Sequence, residues 1–150
     1  MSEQQFSASP GAFTRSVTIR FSHCDPAGIV YFPHYFDMFN GLLEDWYTHE
    51  LGYDYSELVI GKHFGFPFVH IECDFLYPSR MGECLDLTLL VDRVGRSSLG
   101  LTIVGHLDNR ERLRARMVTA MMSLETRQSV PLPADLREKI GGYARRITSA

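Results

Sequence analysis

Polar and apolar residues alternate over residues 14–22, with Val17, Ile19 and Phe21 set against Ser16, Thr18 and Arg20. A period of two predicts a half-buried strand. From 33 to 51 the period changes: Tyr35, Phe36, Phe39, Leu42, Leu43, Trp46 and Tyr47 recur at intervals of three and four, the spacing of a helix with a broad apolar face. Pro33 suits the first helical position, where a missing N–H removes no hydrogen bond, and Gly52 is placed to end the helix. Residues 53–68 lack a period, apart from a turn of helix expected near 55–60. Alternation then returns. Val69, Ile71, Cys73, Phe75 and Tyr77 make one face of a strand, and 78–82 turns. Leu85, Leu87, Leu89 and Val91 belong to the next strand, Leu99, Leu101 and Ile103 to another after a reversal at Gly95-Arg96, and 113–124 to a last long one. Pro131 and Pro133 stop the sheet, and a short terminal helix is expected from Pro133 to about Gly141.

The order is thus one strand, one long helix, then four strands joined by short turns, which makes those four antiparallel. One strongly apolar helix and one apolar sheet face bury each other. The expected fold is α+β, a five-stranded antiparallel sheet wrapped around one long central helix. Such a sheet has open edges, and isologous pairing with a second copy is an economical cover.

Composition narrows this picture. At 150 residues and 45% hydrophobic, the chain suits one domain, taken as 14–150, with 1–13 as a flexible tail. A net charge of −3 gives no basic surface for nucleic acid or an anionic membrane. The N-terminal residues lack the apolar stretch of a signal peptide, and no apolar run approaches the roughly 20 residues of a membrane helix. Cys24, Cys73 and Cys84 are odd in number and form no CxxC, so reduced thiols in a cytoplasmic protein are expected.

The chemistry concentrates in "FSHCDPAGIVYFPHYF", residues 21–36. Asp25-Pro26 favours a turn, and Gly28 permits a positive φ or a close backbone approach. The loop then enters the helix at Phe32-Pro33. Helix N-termini carry unpaired N–H groups and partial positive charge, a ready site for a developing oxyanion. Because Pro33 has no N–H, the available donors are those of Phe32, His34 and beyond. A carboxylate just upstream could attack an acyl carbon or activate water.

"HCDPAGIVYFPHYFDMFN" resembles the signature of the hotdog-fold 4-hydroxybenzoyl-CoA thioesterase family, and the element order matches that fold from about Ser16 to Leu136. The resemblance implies a homodimer or homotetramer with active sites between subunits, and hydrolysis of an acyl-CoA thioester without metal or cofactor, coenzyme A entering as part of the substrate. It implies Asp25 as the catalytic carboxylate, the backbone N–H of Phe32 as the group polarising the thioester carbonyl, and Gly28 as the residue shaping the loop. Tyr31 and His34 would border the acyl pocket, and His70 falls on the strand that resembles the pocket-lining strand of relatives. "VGRSSL" resembles the hairpin that receives the nucleotide of CoA, with Arg96 as the candidate phosphate ligand and Arg93 as a second. His23 and Phe32 stand where the type enzyme has an acidic residue and a tyrosine, which bears on substrate identity rather than on a backbone donor.

Structural readings compete with these roles. Asp25 alone could be a turn cap, since Asx turns are common. Cys24 and His23 are neighbours on an extended segment and point to opposite sides, a poor nucleophile–base pair. His23, Asp25 and His34 lack the spacing of metal ligands. Glu44 and Asp45 are expected at a solvated edge or subunit contact, although a related hotdog branch uses a helix carboxylate. Arg110, Arg112, Arg114 and Arg116 form an alternating basic face, either solvated or meeting CoA phosphates. The aromatic helix entry suits an aryl-CoA such as 4-hydroxybenzoyl-CoA. The alternatives are a short-chain aliphatic acyl-CoA or acyl-carrier-protein thioesterase, and a non-catalytic acyl-CoA binding module.

Overall fold

The structure, a computed structural model, describes residues 4–148. In chain order the elements are β1 (Thr14–Thr18), α1 (Pro33–Asp45), β2 (Phe64–Gly65), β3 (Phe68–Phe75), β4 (Cys84–Val94), β5 (Ser98–Leu107), β6 (Arg110–Ala120), β7 (Met122–Ser123) and α2 (Ala134–Thr148). Five strands form one antiparallel sheet of order β1–β4–β5–β6–β3, while β2 and β7 pair separately. This is the expected hotdog arrangement.

The register explains why one sheet face is apolar throughout. Leu89 of β4 lies opposite Ile103 of β5, Ile103 opposite Ala115 of β6, and Ala115 opposite Cys73 of β3. Such rows pack with Phe39, Leu42 and Leu43 of α1 and with Trp46 into one core. Each fully buried leucine or isoleucine is worth roughly 1.5–3 kcal/mol against exposure, so this shared face dominates the fold's stability. The helix continues past Asp45 as a single π turn, Trp46–Glu50, closed by the Leu51 N–H donating to the Trp46 carbonyl at 3.0 Å. Trp46 and Tyr47 both end up buried there, and Gly52, at φ +78°, then reverses the chain as expected.

Several boundaries and faces differ from the sequence reading. The first strand stops at Thr18, because a 3₁₀ turn at Phe21–His23 captures the next backbone groups: Arg20 N–H donates to His23 Nδ1 at 2.9 Å and Cys24 N–H to the Phe21 carbonyl at 3.1 Å. Phe21, expected to face inward, is 83% exposed. On β3 only Ile71 and Cys73 of the expected face pack on the core, whereas Val69, Phe75 and Tyr77 are exposed. The last long strand ends at Ala120, and Met122–Ser123 turns away to pair with β2. The terminal helix does not end at Gly141 but runs through both glycines to Thr148, since Leu136, Ile140, Tyr143 and Ile147 bury one continuous stripe. Tyr143 fixes that helix by donating its hydroxyl to the Leu89 carbonyl at 2.6 Å and accepting the Phe13 N–H at 2.8 Å. Of the stretch 1–13 expected as a flexible tail, residues 1–3 lie outside the described residues, and Gln4 and Phe6 lie against the start of β6: Phe6 N–H donates to the Asn109 carbonyl and Glu111 N–H to that of Gln4, each at 2.9 Å.

Candidate active site

Between β1 and α1 the chain folds into a tight loop held by its own polar groups. Ala27 N–H donates to Asp25 Oδ1 at 2.9 Å, an Asx turn that leaves Oδ2 without a partner among the described residues. Gly28 N–H donates to the Asp25 carbonyl at 2.9 Å, and Asp25 N–H to the Ile29 carbonyl at 3.0 Å. Gly28 sits at φ +79°, a conformation that side chains with a Cβ rarely adopt, so glycine is required by the turn rather than by crowding. Tyr31 N–H donates to the His23 carbonyl at 2.9 Å and closes the loop beneath the helix entry. The carboxylate is therefore fixed by one oxygen and offered by the other.

The helix entry narrows the candidate donors to one. Phe32 is already helical at φ −52°, ψ −35°. The N–H of His34, expected to be available, is taken by the Tyr31 carbonyl at 2.9 Å, and that of Tyr35 by the Phe32 carbonyl at 3.1 Å. Pro33 has none. Among the described residues the Phe32 N–H has no acceptor, and it lies at the positive end of the α1 dipole.

Around this donor the aromatic side chains form a wall. Tyr31 and His34 stand 5.9 Å apart between ring centroids, and His23 and His34 6.2 Å apart. On the other side Phe32 meets Phe75 of β3 at 6.3 Å, and Tyr35 meets Phe75 at 5.9 Å. His70 is not brought into this cluster within one chain. It lies opposite Val118, one residue out of step with Ile71 and Cys73, which pack on the core, so it faces away from α1. Arg93 and Arg96 lie apart on the β4–β5 hairpin, both exposed, with Arg93 Nη2 donating to Ser98 Oγ at 3.5 Å. That hairpin is tied to α2 by Arg137, which donates to the Gly95 and Arg96 carbonyls. Cys24 donates its thiol to the Arg20 carbonyl at 3.4 Å. A cleft of about 490 Å³ lined by His49, Gly52, Lys139, Tyr143 and Arg146 lies beyond the far end of α1, and none of the candidate site residues lines it.

Sequence reasoning missed the framework beneath the loop. The "YPSRMGE" turn reads as a simple reversal, yet Ser79 is 1% exposed and its carbonyl accepts the Val30 N–H at 3.0 Å. Ser79 also lies beside the Tyr35 hydroxyl and favours its ionisation, although burial pushes that ionisation above the ordinary tyrosine range. Three arginines of the β6 face are ion-paired, Arg112 with Glu83 at 3.0 Å, Arg114 with Glu111 at 2.5 Å and Arg116 with Asp74 at 3.4 Å. The spacing of the arginines gave no sign of Glu83 and Asp74, which sit on other segments.

An α+β sheet-and-helix fold with a carboxylate loop at the helix entry defines a class, and comparison with known proteins places the chain within it. Residues 19–140 match the thioesterase-like superfamily, and the chain belongs to that family. A 1,4-dihydroxy-2-naphthoyl-CoA hydrolase of Nostoc punctiforme is 29% identical over 94 residues, 61% of this chain and 61% of the relative, so the match spans less than two thirds of that protein. A thioesterase-superfamily protein from Jannaschia sp. CCS1 superposes with a TM-score of 0.82 at 24% identity, covering 93% of this chain and 97% of the other. A gentisyl-coenzyme A thioesterase superposes with a TM-score of 0.77 at 24% identity, covering 84% and 98%.

Proposed function

We propose that this protein hydrolyses an acyl-CoA thioester, with an aryl-CoA as its substrate class and 4-hydroxybenzoyl-CoA as the leading member. The observation that carries this reading is the unpaired Phe32 N–H at the start of α1, following directly on the loop that presents Asp25. The thioester carbonyl accepts from that N–H, and the helix dipole stabilises the oxyanion as it forms. Asp25 supplies the carboxylate, as nucleophile or as base for water, through its unengaged Oδ2. Tyr31, His34 and the Phe32–Phe75 wall offer flat surfaces to an aromatic acyl group. Two similar proteins carry aryl-CoA names, which supports an aryl group without choosing one. Arg96, with Arg93 second, is assigned to the CoA phosphates.

The same reading makes the protein a homodimer or homotetramer. β3 is an edge strand, and it exposes Val69 and Phe75 beside Tyr77 and Phe32. An exposed apolar edge next to the site is what pairing with a second copy would cover, and pairing would bring a partner's strand against the open pocket. The three cysteines are all free thiols, which fits a reducing cytoplasm.

The test is thiol release from benzoyl-, 4-hydroxybenzoyl-, phenylacetyl-, acetyl-, butyryl- and palmitoyl-CoA, with light scattering to give the oligomer mass. Fast release confined to the aryl thioesters supports the proposal. Release confined to acetyl- and butyryl-CoA replaces the aryl assignment with the aliphatic one. No release from any thioester, with CoA still bound, favours the non-catalytic module.

A further inference from the structure

The loop and helix entry just described rest on the 78–83 turn, which is itself gripped from β6. Arg112, on β6, reaches into the 78–83 turn with a side chain only 11% exposed. Nη1 donates to the Pro78 carbonyl at 3.0 Å, to Ser79 Oγ at 3.3 Å and to Glu83 Oε1 at 3.2 Å. Nη2 donates to Glu83 Oε2 at 3.0 Å, completing a two-pronged pair. The guanidinium also lies over the Tyr77 ring at 4.9 Å. The Arg112 backbone carbonyl accepts from the N–H groups of Leu76 and Tyr77, so one residue grips the turn from both its main chain and its side chain. Glu83 is engaged in turn by the Arg80 N–H at 2.7 Å. The Arg112 hydrogen bonds hold its carboxyl below the ordinary glutamate range.

This clamp faces the site through Ser79. The Ser79 carbonyl takes the Val30 N–H, Ile29 pairs with Arg80, and Ser79 lies beside the Tyr35 hydroxyl on the first turn of α1. The turn thus holds the chain two residues before Phe32 and borders it three residues after. On its other flank, Gly82 N–H donates to the Ile19 carbonyl and Ile19 N–H to the Glu83 carbonyl, each at 2.8 Å, which anchors the strand leading into the loop. We infer that Arg112, acting with Glu83 through Ser79, is a positioning residue that sets the direction of the Phe32 N–H relative to Asp25. The inference rests on the reading of Phe32 as the carbonyl donor. Lysine cannot replace the arginine here, because a single ammonium does not span a carboxylate, a carbonyl and a hydroxyl in one plane.

The experiment compares Arg112→Ala, Arg112→Lys and Glu83→Gln with the wild type in steady-state aryl-CoA hydrolysis, and follows amide hydrogen exchange at Val30. A misaligned donor weakens the transition state more than the bound substrate. Arg112→Ala and Arg112→Lys are expected to lower kcat about 10- to 100-fold while KM moves by about threefold or less, with Glu83→Gln intermediate. Val30 exchange quickens by about tenfold or more in both arginine variants, and added guanidinium at millimolar concentration restores part of the kcat of Arg112→Ala. If Arg112→Ala fails to fold, Arg112→Lys, which keeps charge and length, decides. Wild-type kcat together with wild-type Val30 exchange in Arg112→Lys overturns the inference, as does a rise in KM alone. A wild type that cleaves no aryl-CoA refutes the proposed function instead, and Val30 exchange still decides whether the clamp holds the loop.

Discussion

Replacing Asp25 by asparagine separates the chemistry of the loop from its architecture. In the structure one carboxylate oxygen, Oδ1, accepts the Ala27 N–H at 2.9 Å, and among the described residues Oδ2 has no partner, which is the oxygen assigned to the proposed reaction. An asparagine amide oxygen accepts the same N–H, so the turn survives and stability should change by less than about 0.5 kcal/mol. That is a shift of roughly 2 °C or less for a domain of this size. The lost function is the carboxylate itself. General-base or nucleophilic assistance contributes on the order of 10²- to 10⁴-fold, equivalent to about 3–5 kcal/mol of barrier, and kcat should fall by that amount with KM little changed. Asp25→Ala should be equally inactive, yet it also loses the turn cap, at a cost of about 1 kcal/mol. Thiol release measured with a colorimetric disulfide, beside a thermal melt of each variant, reads both axes. Two variants matched in activity but separated in melting temperature are the expected signature. An Asp25→Asn protein that keeps more than about a tenth of wild-type kcat would refute the reasoning and turn attention to the exposed helix carboxylate of Glu44.

Further outcomes follow from other parts of the structure. Gly28→Ala meets no atom within 4 Å but must hold φ +79°, so it should cost about 1–2 kcal/mol in urea unfolding and lower kcat through a displaced Asp25. Tyr143→Phe strands the Phe13 N–H and the Leu89 carbonyl in the core. At about 1–3 kcal/mol for each buried unsatisfied group, calorimetry should show a melting temperature lower by roughly 5–15 °C. His106 contacts Thr88 Oγ1 at 2.8 Å and lies against the Phe6 ring, with Asp86 and Glu111 as its nearest acids. Burial holds its imidazole below the ordinary histidine pKa, although both acids oppose that shift. The unfolded chain then binds the proton first, so stability should decline as pH falls below about 6.5. His106→Asn should flatten that part of the stability–pH curve, and an unchanged slope would assign it elsewhere.

The parts of the molecule legible in the sequence are those specified by local pattern. The inward leucines of β4 and β5 and the helical spacing from Tyr35 to Tyr47 each declare a face within one element, and the sheet and α1 follow from them. The Asx turn at Asp25 and the positive φ of Gly28 are local as well, and so were readable from Asp-Pro-x-Gly. Errors came where one local signal outweighed another, or where the deciding partner lay elsewhere in the chain. Phe21 fits the alternation of β1, but the His23 imidazole and the 3₁₀ turn release it to solvent. Gly141 and Gly142 look like a helix end, but the stripe from Leu136 to Ile147 carries α2 across them, outweighing about 1 kcal/mol per glycine of lost propensity. The availability of the His34 N–H could not be judged without knowing that the Tyr31 carbonyl lies beneath it. The arginines of β6 read as one alternating basic face in the sequence, whereas Arg112, Arg114 and Arg116 pair with Glu83, Glu111 and Asp74, of which only Glu111 lies on the same strand. A reacting group can be encoded in a few adjacent residues, but the direction in which it points is set by segments that meet only in the folded chain. Arg112 lies 80 residues or more from the loop to which Ser79 links it, so a motif can nominate a carboxylate and a donor without fixing the angle between them.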